Sequence, residues 1–127
     1  MIAAGLGGRR NVDPDDLEYA LHQALDRFHI PLERLDAVAT EESKAGEPSF
    51  IELAQRLSLK LVACSKADLD RVSGQVLTPS QFVLATKRVV SVAEASALAT
   101  VGRNARLFGR RIATPTVTCA LAIGEGP

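Results

Sequence analysis

The stretch Ile2-Ala3-Ala4-Gly5-Leu6-Gly7-Gly8-Arg9-Arg10-Asn11-Val12-Asp13-Pro14-Asp15-Asp16-Leu17 decides the fold. Its apolar start reads as a short buried strand over 2–6, and the glycine-rich turn Gly5-Leu6-Gly7-Gly8-Arg9-Arg10 ends that strand. Asp13 then has the side chain of a helix N-cap, Pro14 suits the first helical position, and Asp16 puts negative charge where the helix dipole is positive. Leu17, Ala20, Leu21, Ala24, Leu25 and Phe28 recur every third or fourth residue, so this helix carries one continuous apolar stripe. Pro31 closes the segment.

Working outward, the same alternation repeats. A second strand is expected over 36–40, and a polar loop over 41–48 follows it. Ser49 with Glu52 reads as a capping box, opening a helix whose buried face is Phe50, Leu53, Ala54 and Leu57. A third strand over 60–64 leads to a short helix opened by Ser65 and Asp68, then to a turn at Ser73-Gly74. Thr78, Pro79 and Gln81 again spell cap, first-position proline and capping-box partner. Ser91 with Glu94 starts an alanine-rich helix that runs to about Val101 and stops at Gly102. Two late strands are expected, over 106–108 and 116–123. The second alternates at first and then turns wholly apolar, as a strand does when it enters from an exposed end into a buried interior.

Crossover helices require strands one to three to run parallel with right-handed connections, while the last two, close in sequence, are expected to be antiparallel. The expected fold is α/β: a three-layer α/β/α single domain over 1–127, with a mixed, mostly parallel sheet of about five strands.

Composition narrows the function. The chain has 127 residues, of which 46% are apolar and 24% charged, an ordinary globular balance that argues against disorder. Fifteen Lys and Arg offset fifteen Asp and Glu, which removes the basic footprint of a general nucleic-acid binder. Aromatics are only 4%, with no Trp, which argues against a base-stacking platform or an aromatic sugar cleft. No apolar run approaches the ~20 residues that span a bilayer, and Arg9-Arg10 follow the apolar start instead of preceding it as in a secretory signal. The expected location is the cytoplasm. Cys64 and Cys119 lie in apolar segments with no zinc-ligand spacing and read as buried, reduced thiols; a disulfide stays open at this point. Neither a metal nor a cofactor is called for.

In a sheet of this kind ligands gather beyond the carboxyl ends of the parallel strands. The turn from Gly5 through Gly7 and Gly8 to Arg9 and Arg10, the loop from Thr40 to Glu47 with Lys44, and the turn at Ser65 should meet there, beside helix amino ends that favour anions. The expected site takes a carboxylate or a phosphate. The competing reading gives the glycines to tight packing and the basic residues to solvent, but a glycine run followed by two arginines is more than a turn requires. The turn lacks the third glycine of a dinucleotide fingerprint and the Lys-Ser/Thr of a Walker loop. His22 and His29 lie on the first helix and at its end with no ligand cluster, and read as structural. No Gly-x-Ser-x-Gly elbow occurs.

Five phrases in order carry a family resemblance: Ala4-Gly5-Leu6-Gly7-Gly8-Arg9, Ser43-Lys44-Ala45-Gly46-Glu47-Pro48, Pro79-Ser80-Gln81-Phe82-Val83, Ser91-Val92-Ala93-Glu94-Ala95, and Thr116-Val117-Thr118-Cys119-Ala120-Leu121-Ala122. Together they resemble the cobalamin-biosynthesis proteins of the CobE type and the C-terminal domain of CbiG, over nearly the whole chain. The resemblance implies a three-layer α/β domain acting on corrin precursors. CbiG proteins open a lactone ring on such an intermediate and release a two-carbon aldehyde; because this chain starts at the domain itself, the expectation is the stand-alone CobE type. In that family the opening turn often has a cysteine where Gly8 stands, so a thiol nucleophile is absent at that position. Arg9, Lys44, Glu47, Ser91 and Glu94 match, and the resemblance implies a binding role for them. Corrin precursors carry acetate and propionate side chains, for which arginine forks, a lysine and helix amino ends are natural partners.

Three functions compete. The first is a carrier, assembly factor or auxiliary that binds a corrinoid intermediate through Arg9, Arg10 and Lys44 and works with other cobalamin-biosynthesis enzymes. The second is a lactone hydrolase with Glu42 or Glu47 as general base. The third is a small module for a phosphorylated metabolite.

Overall fold

The computed structural model describes residues 1–77 and 91–127. The expected helix start at Thr78, Pro79 and Gln81 lies outside the described residues. Six strands form one sheet: β1 (Ile2–Gly8), β2 (Ala37–Glu41), β3 (Lys60–Cys64), β4 (Arg106–Leu107), β5 (Ile112–Ala113) and β6 (Val117–Ile123). The order is β3-β2-β1-β6-β4, with β5 also paired to β6. β1, β2 and β3 are mutually parallel, as crossover helices demand, and β6 runs antiparallel to β1 along its whole length and antiparallel to β4. The sheet is mixed and lies between two helical layers; the sixth strand, the two-residue β5, is too short to leave a periodic signal.

Helix α1 (Pro14–Arg27) starts as its sequence requires: the Asp13 side chain accepts from the Asp15 amide at 2.8 Å, and Pro14 opens the first turn. It packs with α3 (Pro48–Leu57) on one face of the sheet, against Ala4, Leu6, Val38, Cys119 and Leu121. The other face holds α4 (Lys66–Arg71) and α5 (Val92–Val101), over Ala3, Ala37, Ala39 and Ala122. Side chains on a strand alternate between faces, so β1 gives Ala4 and Leu6 to the α1 side and Ala3, Gly5 and Gly7 to the α5 side. The small residues let α5 settle close to the sheet. Gly102, at φ +76°, ends α5, and a Cβ there would meet the Gly126 carbonyl oxygen at 2.2 Å.

Three local expectations change. β1 stays extended to Gly8, because its pairing with β6 continues through Gly7↔Thr118 and Gly8↔Val117. The polar loop 41–48 winds one helical turn, α2 (Glu42–Ala45). Ser49 is not a cap: Pro48 takes the first position of α3, Glu47 stands at the cap without a side-chain bond, and the Ser49 hydroxyl donates to the Val12 carbonyl while Glu52 pairs with Arg56. The Ser65 and Asp68 capping box is present in both directions. Cys64 and Cys119 are free and buried on opposite faces of the sheet, so they cannot form a disulfide with each other.

Candidate functional site

The parallel strands deliver Gly8, Glu41 and Cys64 to one end of the sheet, and the antiparallel β6 begins there with Val117. The turn after β1 is pinned to the segment that follows β2. The Lys44 ammonium donates to the Gly8 carbonyl at 2.8 Å, Glu47 Oε1 accepts from the Asn11 amide at 3.1 Å, and Ser49 bonds the Val12 carbonyl. Asn11 takes a left-handed φ of 58° to make the bend, leaving Arg9 and Arg10 exposed. The glycine turn and the Lys44 segment are therefore tied together at one end of the sheet.

An open cleft of about 360 Å³ lies on the α5 side of this turn. Gly7, Gly8, Arg9, Ser91, Val92 and Arg111 line it, with the 114–118 strand entry as its opposite wall. Among the described residues that line it, none is acidic. The start of α5 borders it: Ser91 and Val92 line the cleft, and Ser91 caps that helix by accepting from the Glu94 amide at 3.3 Å. Arg111 Nη1 lies 3.5 Å from the Ser91 hydroxyl. Guanidinium groups beside a helix amino end are chemistry that would suit carboxylate or phosphate oxygens.

The remaining candidates divide by their contacts. Thr40 is fully buried and donates to the Leu6 carbonyl at 2.7 Å, joining the ends of β2 and β1. Gly5 is buried beneath α5. Ser65 caps α4. Glu42, Lys44 and Glu47 lie on the far flank of the turn and do not line the cleft. Glu94 is fully buried; its two oxygens accept from the Leu77 and Arg111 amides, each at 2.8 Å, so it anchors the Arg111 backbone at the cleft and the Leu77 backbone beyond it.

Sequence reasoning missed Arg111 and the wall over 114–118. The available signal was the pair Arg110-Arg111 just before the last strand: once β6 runs antiparallel to β1, its entry must lie beside the exit of β1. A larger hollow of about 680 Å³ sits at the opposite pole, near Val72, Asn104, Arg106 and Glu125, and contains none of the expected site residues. Among the described residues no helix is long and apolar enough to cross a membrane.

Comparison with known proteins shows the family. Residues 2–122 match the family model described as Cobalamin synthesis G C-terminus. Protein CobE of Sinorhizobium sp is 28% identical over 95% of this chain and 79% of its own length. A probable cobalt-precorrin-5A hydrolase of Methanocaldococcus jannaschii is 29% identical over 79% of this chain, which spans only 31% of that relative. Among solved structures, CobE, a protein from the cobalamin (vitamin B12) biosynthetic pathway, superposes with a TM-score of 0.87 at 32% identity, covering 96% of this chain and 89% of that one. The cobalamin biosynthesis protein chiG from Agrobacterium tumefaciens does so with a TM-score of 0.78 at 31% identity, over 98% and 99% of the two chains. The family match runs over nearly the whole length, and this chain belongs to the cobalamin synthesis G C-terminal family of cobalamin-biosynthesis proteins.

Proposed function

We propose that the protein binds a corrin-ring intermediate of cobalamin biosynthesis through the carboxylates on its rim, as a carrier or auxiliary to a precorrin-modifying step. The observation that carries this reading is the cleft at the strand ends, where Arg9, Arg111 and the amino end of α5 converge with no acidic residue among the described residues of the lining. Rim carboxylates would take guanidinium forks and helix amides, while Val92 and Pro115 offer apolar contact to the ring. Arg10 and Lys44 add positive charge around the same turn. Other enzymes of the pathway are the partners a carrier would need.

The test is a titration of purified protein with cobyrinic acid, a corrin that keeps its carboxylates free, followed by its visible spectrum. The wild type is expected to bind, and Arg9→Ala with Arg111→Ala to weaken binding about tenfold or more. Failure of the wild type to bind corrins, with stabilisation by nucleotides in a thermal-shift screen, would favour a phosphorylated ligand instead. The hydrolase alternative has Glu42 and Glu47 as its candidate bases; neither lines the cleft, and Glu47 already accepts from Asn11. On the binding reading, the protein releases no two-carbon aldehyde from a lactone-bearing intermediate.

A further inference from the structure

A second cleft, of about 390 Å³, lies on the other side of the strand entry. It shares Arg111, Thr114 and Pro115 with the first, so these residues are a common wall between two hollows. Its far side is a stripe on α1: Tyr19, Gln23 and Arg27 recur every fourth residue and stand on one face of the helix. All three are exposed, and Tyr19 is 58% exposed, high for an aromatic residue in a chain with few of them. The packing of α1 does not use this stripe, because the buried stripe of the same helix is Leu17, Ala20, Leu21, Ala24 and Leu25. Among the described residues none that lines this cleft is acidic either. Two carboxylates stand close to the shared wall: Glu94 accepts from the Arg111 amide at 2.8 Å, and Asp16 lies 3.5 Å from the Thr116 hydroxyl.

We infer that Tyr19, Arg27 and Arg111 form a second carboxylate subsite, and that one broad polycarboxylate ligand lies across the Thr114 and Pro115 wall with different rim groups in the two clefts. This deepens the corrin-binding reading and rests on it. A small anion needs only one of these hollows. A flat macrocycle with carboxylates around its whole edge matches guanidinium groups spread along an arc from Arg9 through Arg111 to Arg27. Arg27 grips by charge-assisted hydrogen bonds, and Tyr19 adds a phenol donor beside a ring face on which an apolar edge can rest.

The experiment titrates the full chain with cobyrinic acid, using wild type, Arg9→Ala, Arg27→Gln and Tyr19→Ala. Arg27 and Tyr19 are exposed, so their variants keep the fold; matching circular dichroism checks this. Arg27→Gln is expected to weaken binding about five- to tenfold. Tyr19 is the chain's one tyrosine, so protein labelled with 13C-tyrosine gives a single ring signal, expected to shift on adding the corrin. Weakening by Arg9→Ala with no effect of Arg27→Gln and an unmoved Tyr19 signal would overturn the second subsite and leave the first reading standing. Absence of binding by the wild type would overturn both.

Discussion

Gly5 of β1 lies directly beneath Ala93 of α5, so close that a Cβ on Gly5 would stand 1.9 Å from the Ala93 carbonyl oxygen. The second and third obstacles are the Ser96 hydroxyl at 2.6 Å and the Ala97 amide at 2.7 Å. The helix therefore rests on bare strand backbone, and that contact sets the height at which the amino end of α5 meets the cleft. Ser96 and Thr100 would be costly polar groups in this dry layer, but their hydroxyls donate back to the Val92 and Ser96 carbonyls at 2.6 and 2.7 Å.

Gly5→Ala should consequently destabilise the fold by about 2–3 kcal/mol, since rigid backbone and not a movable side chain must give way. Gly46→Ala is the control: its Cβ would meet nothing within 4 Å, and the residue already has a helical φ of −82°. It should leave stability unchanged or raise it by about 0.5 kcal/mol. Urea unfolding of both variants measures the contrast.

Glu94→Ala leaves the Leu77 and Arg111 amides without their buried acceptor. The expected cost is about 3 kcal/mol, because both lost bonds go to a carboxylate. Corrin affinity should fall as well, since the Arg111 backbone is one of the two anchored groups. A stability loss with full retention of affinity would show that Arg111 keeps its place without this tether.

Neither cysteine should react with a thiol reagent in the native protein. Burial alone pushes the Cys119 thiol far above its ordinary range, and burial is also the main cause that raises Cys64, whose thiol lies 3.7 Å from the Thr100 hydroxyl. Ellman's reagent is expected to read no thiol before denaturation and two after it.

Asp68 gives a pH signature. Hydrogen bonds from the Ser65 amide and hydroxyl, helped by Arg71, hold its carboxyl below the ordinary carboxylate range. A depressed native value means that its contribution is present above the unfolded value and is lost as pH falls through the native one. Amide exchange at the start of α4 should therefore be slower in wild type than in Asp68→Asn at neutral pH, with the difference closing in acid.

Much of this fold was legible because local chemistry and tertiary demand agree. Asp13 and Pro14 begin α1 where their cap chemistry says, Ser65 and Asp68 begin α4, Ser91 begins α5, and Gly102 ends it. The strand entry at β6 showed in its shift from alternation to a continuous apolar run. The misreadings came where two local signals compete. Ser49 and Glu52 fit a capping box, yet Pro48 claims the first helical position and frees Ser49 to bond Val12 across the fold. Gly5 and Gly7 looked like turn glycines, whereas both are strand residues facing α5: the helix covers Gly5, while Gly7 lines the cleft.

By itself, the sequence determined the elements, the parallel order of the first three strands and the positive turn at Arg9 and Arg10, because caps, periodicity and crossover geometry act over a few residues. Only the tertiary structure decided which charges share a surface. Arg111 lies about a hundred residues from Arg9 in the chain and joins the same cleft because β6 pairs antiparallel with β1. Pairing between distant strands depends on the burial of both faces of the sheet at once, and no local pattern encodes that.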